Sequence, residues 1–228
     1  MGSRVTACDG ISEIPFTRGL PHKFATMSFQ PQFIQQRQTI RNTIRQRRRA
    51  LTRTQQHGFA LQIAARLVQH PRIQAAQRIA VFLSFDGELD TRPLIEQLWQ
   101  RGKQIYLPVL HPFSHGNLLF LRYTPDTPLV RNRFNILEPA LDVRCVLPVL
   151  QLDVVLTPLV AFDALGQRLG MGGGFYDRTL QNWQHGGPYP MGLAHDCQQV
   201  DPLPVEHWDI PLPEIITPSQ IWAWQKLE

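Results

Sequence analysis

The segment GQRLGMGGGFYDR, residues 166–178, places five glycines within nine positions and follows them with an aromatic pair, an aspartate and an arginine. Backbone without Cβ atoms reaches positive φ and lets N–H groups approach phosphate oxygens closely. Arg168 ahead of the glycines offers a cation for phosphate, and Asp177 behind them offers a carboxylate for Mg²⁺. The loop is therefore a candidate phosphate cradle. It is not a P-loop, because G-x-x-x-x-G-K-[ST] is absent, nor a dinucleotide fingerprint, because Phe175 stands where G-x-G-x-x-G needs its last glycine. Glycines alone could equally mark a flexible turn; the flanking charges favour the cradle. As a loop carboxylate, Asp177 is expected to be exposed and to matter little for stability.

A second cationic feature lies upstream. Arginines 37, 41, 45, 47, 48, 49 and 53 fall in RQTIRNTIRQRRRALTR with no acid among them. Ile40, Ile44 and Leu51 recur at helical spacing and should face a core, while Arg37, Arg41 and Arg45 form a stripe at i, i+4 on its border, where an anion could sit. The plain alternative is a solvated basic face or a nucleic-acid arm. The net charge of +5 is unevenly distributed. Residues 1–57 carry ten Lys and Arg against Asp9 and Glu13, which leaves 13 basic against 16 acidic residues in the remainder. A mildly acidic body does not favour a nucleic-acid-binding module.

Several elements must position these residues. TRTQQHGFALQIAARLVQH continues helical, and RIAVFLS, from 78 to 84, is a short apolar run of the buried parallel type. Thr91 is placed to cap the helix RPLIEQLWQR, with Gly102 at its end, and QIYLPV follows as a strand, so the three form a βαβ unit. NLLFLRY and LDVVLTPLVAF are further strands, FYDRTLQNWQH is a helix, and PMGLAH and EIIT are late strands. The fold class is α/β with a largely parallel sheet. The glycine loop then lies past a strand end near Phe162 and before a helix starting near Tyr176, where open α/β sheets bind ligands and a helix N-terminus favours anions. The Pro-rich stretch 124–148 is a long excursion from the sheet.

The chain has 228 residues, 43% hydrophobic and 18% charged, which suits one globular domain. No apolar run approaches the ~20 residues needed to span a bilayer, so neither a membrane nor export is expected. Cys8, Cys145 and Cys197 are odd in number and lack C-x-x-C spacing, which indicates neither a disulfide framework nor a zinc site. Residues 1–26 show neither period and are expected to be a disordered leader or the product of a mis-assigned start, with residues 27–228 forming the single domain.

RLGMGGGFYDR, with FLSFDGELDT, RQRRRALT and WDIPLPEIIT, resembles the bacterial 5-formyltetrahydrofolate cyclo-ligase (5,10-methenyltetrahydrofolate synthetase) family, in order and spacing from about Gln35 to about Pro218. The resemblance implies a Rossmann-like three-layer α/β sandwich. It also implies an ATP- and Mg²⁺-dependent cyclisation of 5-formyltetrahydrofolate to 5,10-methenyltetrahydrofolate, in which the formyl oxygen is phosphorylated, N10 closes the ring, and ADP and phosphate leave. By resemblance Arg37 and Arg41 contact ATP phosphates, and the backbone of Arg168, Leu169, Gly170, Met171, Gly172, Gly173, Gly174, Phe175 and Tyr176 wraps the nucleotide. Arg168 and Tyr176 are the implied catalytic residues, and Asp177 and Asp209 the implied metal ligands. Leu83 and Glu88 would meet the folate, with Met171, Gly172, Gly173, Gly174 and Phe175 touching it from the loop side. Glu88 could equally be a plain loop acid, and Asp209 a surface acid. Many relatives carry Lys at the position of Gly173 and Asp at that of Pro213. A cytoplasmic monomer is expected. A nicotinamide oxidoreductase would need a dinucleotide fingerprint after the first strand, and FLSFDGELD is not one.

Overall fold

The computed structural model describes residues 29–224. The expectation of a leader over 1–26 lies outside the described residues. Helices α1 (Phe29–Arg49), α2 (Arg53–Val68) and α3 (Pro71–Ala75) lead into β1 (Arg78–Ala80), α4 (Arg92–Gln100), β2 (Gln104–Leu110) and β3 (Leu118–Tyr123). A hairpin, β4 (Leu129–Arg131) and β5 (Leu137–Pro139), precedes β6 (Val146–Leu147), β7 (Val154–Pro158), β8 (Ala161–Phe162) and β9 (Arg168–Leu169). Then come α5 (Phe175–Leu180), β10 (Tyr189–Leu193), β11 (Glu214–Ile216) and β12 (Ile221–Ala223).

The main sheet runs β12-β11-β10-β7-β1-β2-β3-β6. Its five inner strands β11, β10, β7, β1 and β2 are mutually parallel, and β12, β3 and β6 add antiparallel edges. The expected α/β class with a largely parallel sheet is thus observed. Period-two alternation divides the strands between two cores. Ile79, Ile105, Val154 and Leu156 pack under Leu67 of α2 and Leu94 and Leu98 of α4. Ala80, Tyr106, Val155 and Ile215 face the other way, against Leu180 of α5 and the rings of Phe162 and Trp222. Helices on both faces make three layers.

Four local expectations change. Thr91 does not cap α4: its hydroxyl donates to Phe82 O at 2.5 Å, while Asp90 accepts from Arg92 N at 3.1 Å. LDVVLTPLVAF is two strands, because after Pro158 the chain leaves the sheet and Val160 N donates to Leu169 O, opening the separate β8–β9 hairpin. The run 78–84 is ladder only to Ala80, although Val81 N still donates to Tyr106 O. The helix after the glycine loop ends at Leu180, so FYDRTLQNWQH resolves into α5 and a 3₁₀ turn at Trp183–His185.

α1 packs outside the sheet, against the β8–β9 side. Ile44 is buried in a satellite core with Val160, Ala161 and Leu169, and Ile40 packs beside it, whereas Leu51 lies past the helix end. That seats α1 against β8 and the turn Asp196–Gln198, beyond the carboxyl ends of β7 and β10.

Candidate active site

A cleft of about 450 Å³ opens at the carboxyl ends of β1, β2 and β7. Its volume is that of a small-molecule site, and open α/β sheets bind ligands at this edge. One wall holds Leu83 and Glu88, the opposite wall the glycine loop with Arg168, Phe175, Tyr176 and Asp177. The 124–148 excursion supplies a third wall: the β4–β5 hairpin brings Phe134 and Ile136 over the cleft, with Phe134 edge-on to Phe175 at 6.2 Å.

The glycine loop holds its shape through arginines. Gly172 has φ +101° and Gly174, the N-cap of α5, has φ +64°, a region that side chains rarely adopt. Arg41 Nε donates to Gly170 O at 2.9 Å, and its guanidinium lies 3.7 Å from where a Cβ on Gly172 would project. From the far side Arg178 donates to Gly173 O and, at 2.7 Å, to Gly116 O, tying the loop to the turn before β3. A Cβ at Gly173 would meet the Phe175 ring at 2.6 Å, so a side chain there requires that ring to move. At six residues α5 has little macrodipole, so the groups at the loop that could meet an anion are its N–H groups and the guanidiniums.

Arg168 is 3% exposed and donates to Asp177 Oδ1 at 2.5 Å, while its Nε has no partner among the described residues. Burial, opposed by Asp177 and Asp209, lowers its pKa from the ordinary value, yet an arginine stays charged. A buried guanidinium with an unused donor beside the cradle is suited to donate to a phosphate oxygen. Asp177 is not a free loop acid, contrary to expectation: its side chain is 16% exposed and also accepts from Ile210 N at 3.2 Å, so it compensates a buried charge. Leu169 turns its side chain into the satellite core, leaving only backbone for the site.

The two implied metal ligands differ in availability. Asp177 Oδ2 takes no hydrogen bond from a described residue, whereas Asp209 is forked by Arg37, at 2.5 Å on Oδ2 and 3.1 Å on Oδ1, with Glu206 N also on Oδ2. Among the described residues no cluster of three or more His, Cys, Asp or Glu could hold a metal. Asp177 fits Mg²⁺ in the manner of sites that complete octahedral coordination with substrate phosphates and water. Asp209 engages a metal only if Arg37 releases it. Burial and the like charge of Arg37 lower the pKa of Arg41.

At the other end Phe85-Asp86-Gly87-Glu88 is a tight turn, with Glu88 N donating to Phe85 O at 3.0 Å and positive φ at Asp86 (+55°) and Gly87 (+76°). Asp-Gly is suited to such paired left-handed positions. The turn points Glu88 into the cleft, 13% exposed, where its Oε2 accepts from Phe85 N at 3.1 Å. Burial pushes this carboxyl up to about 7, against the pull of Arg48 and the Phe85 N–H. Tyr176 is likewise raised, by burial and then by Glu88, so its hydroxyl keeps its proton.

Sequence reasoning found the loop, the two helix arginines and Glu88; the loop and Glu88 line the cleft, whereas Arg41 reaches it only through its bond to Gly170 O and Arg37 is paired with Asp209. It missed Arg178, the hairpin wall and the pairing of Arg45, Arg48 and Arg49 with Asp86. Only the Asp-Gly pair signalled the turn in advance.

The model of the 5-formyltetrahydrofolate cyclo-ligase family matches residues 33–218. The chain is 67% identical over 181 residues to the 5-formyltetrahydrofolate cyclo-ligase of Escherichia coli (strain K12), covering 79% of this chain and 100% of that protein. It is 54% identical over 182 residues to the Haemophilus influenzae protein of the same name, covering 80% and 97%. Among solved structures it is similar to the Aquifex aeolicus 5,10-methenyltetrahydrofolate synthetase, with a TM-score of 0.70, 25% identity and coverage of 84% and 96%. The Mycoplasma pneumoniae 5,10-methenyltetrahydrofolate synthetase superposes with a TM-score of 0.62, at 25% identity and coverage of 79% and 97%.

Proposed function

The chain belongs to the 5-formyltetrahydrofolate cyclo-ligase family, and we propose on that premise that it converts 5-formyltetrahydrofolate to 5,10-methenyltetrahydrofolate at the expense of ATP. The observation that carries this reading is a single cleft with an apolar chamber and an ionisable carboxylate at one end and a guanidinium-lined glycine loop at the other. A formamide oxygen is a poor leaving group, so ring closure by N10 needs it converted to a phosphate ester first. The protein's contribution is to hold the formyl oxygen in line with the γ-phosphate and to neutralise charge on the transferring group.

Arg168 and Arg41 face the phosphates, with Arg37 held beside them by Asp209; the N–H groups of residues 170–174 complete the cradle. Tyr176, kept protonated, donates a hydrogen bond between the two substrates, and Glu88 accepts from the amino and ring N–H groups of the pterin. Leu83, Phe134 and Phe175 enclose the rings and exclude water. Mg²⁺ bound through Asp177 would supply charge neutralisation at the phosphates.

The alternative, a nucleic-acid module built on the arginine helix, gains nothing from the geometry. Arg37, Arg41, Arg45, Arg48 and Arg49 all turn to partners within the fold. Among the described residues no helix is long and apolar enough to cross a membrane, and a cytoplasmic monomer is in keeping with this metabolic role. Mixing the protein with ATP, Mg²⁺ and 5-formyltetrahydrofolate should produce the methenyl-folate absorbance band, dependent on all three. No band at micromolar protein would overturn the reading.

A further inference from the structure

Arg48, in the last turn of α1, is fully buried. Its Nε donates to Asp86 O at 2.8 Å, its Nη2 to Asp86 Oδ2 at 3.0 Å and its Nη1 to Leu159 O at 3.4 Å. A guanidinium without access to water must have a carboxylate near it. Two are within reach, two residues apart: Asp86, which is hydrogen-bonded, and Glu88, whose Oε1 is 3.9 Å from Nη2. Asp86 also accepts from Arg45 at 2.6 Å and from Arg49, and its own side chain is only 5% exposed. Arg45 and Arg49 are 28% and 51% exposed and have a route to solvent if that carboxylate is lost; Arg48 has none.

We infer that Asp86 is a positioning residue which occupies Arg48 and thereby leaves the Glu88 carboxylate free to face the folate. The inference rests on the reading of Glu88 as the pterin's carboxylate. Without the Asp86 charge, Glu88 is the nearest anion to a cation that cannot leave, and a shift of about 1 Å closes that gap to hydrogen-bonding distance. The captured carboxylate then turns away from the cleft. Neither of the other titratable groups about Glu88 is a cation that would draw its charge. Tyr176 keeps its proton, and His195, buried beside the turn, is held neutral, its pKa pushed down to about 4 by burial. Asp86 itself is held ionised, since hydrogen bonds from Arg45, Arg49 and Arg48 together outweigh the burial that opposes them.

Asp86→Asn tests this cleanly, because Asn-Gly forms the same left-handed turn as Asp-Gly and only the charge is lost. The KM for 5-formyltetrahydrofolate should rise by about tenfold or more while that for ATP moves by less than about twofold. Removing the captor as well, in Asp86→Asn with Arg48→Met, should return the folate KM toward the wild-type value, since Glu88 is then released and no buried cation is left unpaired. In a Glu88→Gln background Asp86→Asn should add less than about twofold, because the residue it acts through is already neutral. The inference is overturned if Asp86→Asn leaves the folate KM unchanged, if both KM values rise together, or if the effects of Asp86→Asn and Glu88→Gln simply multiply. A folded double variant worse than Asp86→Asn overturns it too; if that variant does not fold, the Glu88→Gln background decides. Should Glu88→Gln alone leave the folate KM unchanged, the reading of Glu88 fails and this inference with it. If Glu88→Gln raises that KM and Asp86→Asn does not, only this inference fails.

Discussion

Replacing Glu88 with Gln keeps the shape of the side chain and its hydrogen bond from Phe85 N while removing a titration. In the folded chain the carboxyl is raised from 4.5 to about 7, first by burial, which Arg48 and the Phe85 N–H offset only in part. Between these two values the native state retains a proton that the unfolded chain has released. Stability from this group is therefore fully present below about pH 4.5 and is lost as pH rises through about 7. At about 1.4 kcal/mol per pH unit, the span corresponds to roughly 3 kcal/mol at pH 8. Glu88→Gln, neutral throughout, should match the wild type near pH 4.5 and exceed it by up to that amount at pH 8, an increase of about 1 M in the urea midpoint. The assay is urea unfolding of both proteins without ligand, from pH 4.5 to 8, comparing the difference between them so that other titrations cancel. The same substitution should raise the KM for 5-formyltetrahydrofolate, because a carboxamide cannot accept from both pterin donors. A stability difference that is equal at pH 5 and pH 8 would refute the argument that burial holds a proton on Glu88.

Three further substitutions address the other end of the cleft. Asp177→Ala should abolish turnover and, by leaving Arg168 buried without its partner, cost about 3–5 kcal/mol, which calorimetry will show as a lowered Tm; an active protein at ordinary Mg²⁺ argues against the metal role. Arg41→Ala should raise the KM for ATP by about 10- to 100-fold, the equivalent of one charge-assisted contact, with little change in that for folate. Arg178→Ala should release the glycine loop from the turn at Gly116, seen as faster amide exchange across residues 170–175 and a lower kcat/KM for ATP, while the core helices α2 and α4 keep their protection.

Local pattern was enough to single out the candidate residues and the elements that carry them. Five glycines flanked by Arg168 and Asp177, an arginine stripe beside Ile40 and Ile44, and short apolar runs punctuated by Gly102 and Pro93 each depend on neighbours in sequence, where spacing alone decides which side chains share a face. These are the features that proved legible. What most of the arginines bond to was not, because many of those partners are distant in sequence. Arg48 meets Asp86 at a separation of 38 residues, Arg178 meets Gly116 at 62, and Arg37 meets Asp209 at 172. A run of arginines with no acid near it reads as a solvated face until the fold supplies acids from β1's loop and the C-terminal segment. Asp177 seemed a free loop carboxylate although Arg168 is only nine residues away, because burial of that cation is set by packing and not by spacing, and the 124–148 excursion had no visible place until the β4–β5 hairpin folded over the cleft. Composition and periodicity determine which elements form and which residues are reactive in kind; packing determines which of those charges are already satisfied and which, like the unused donor of Arg168, have no partner among the described residues.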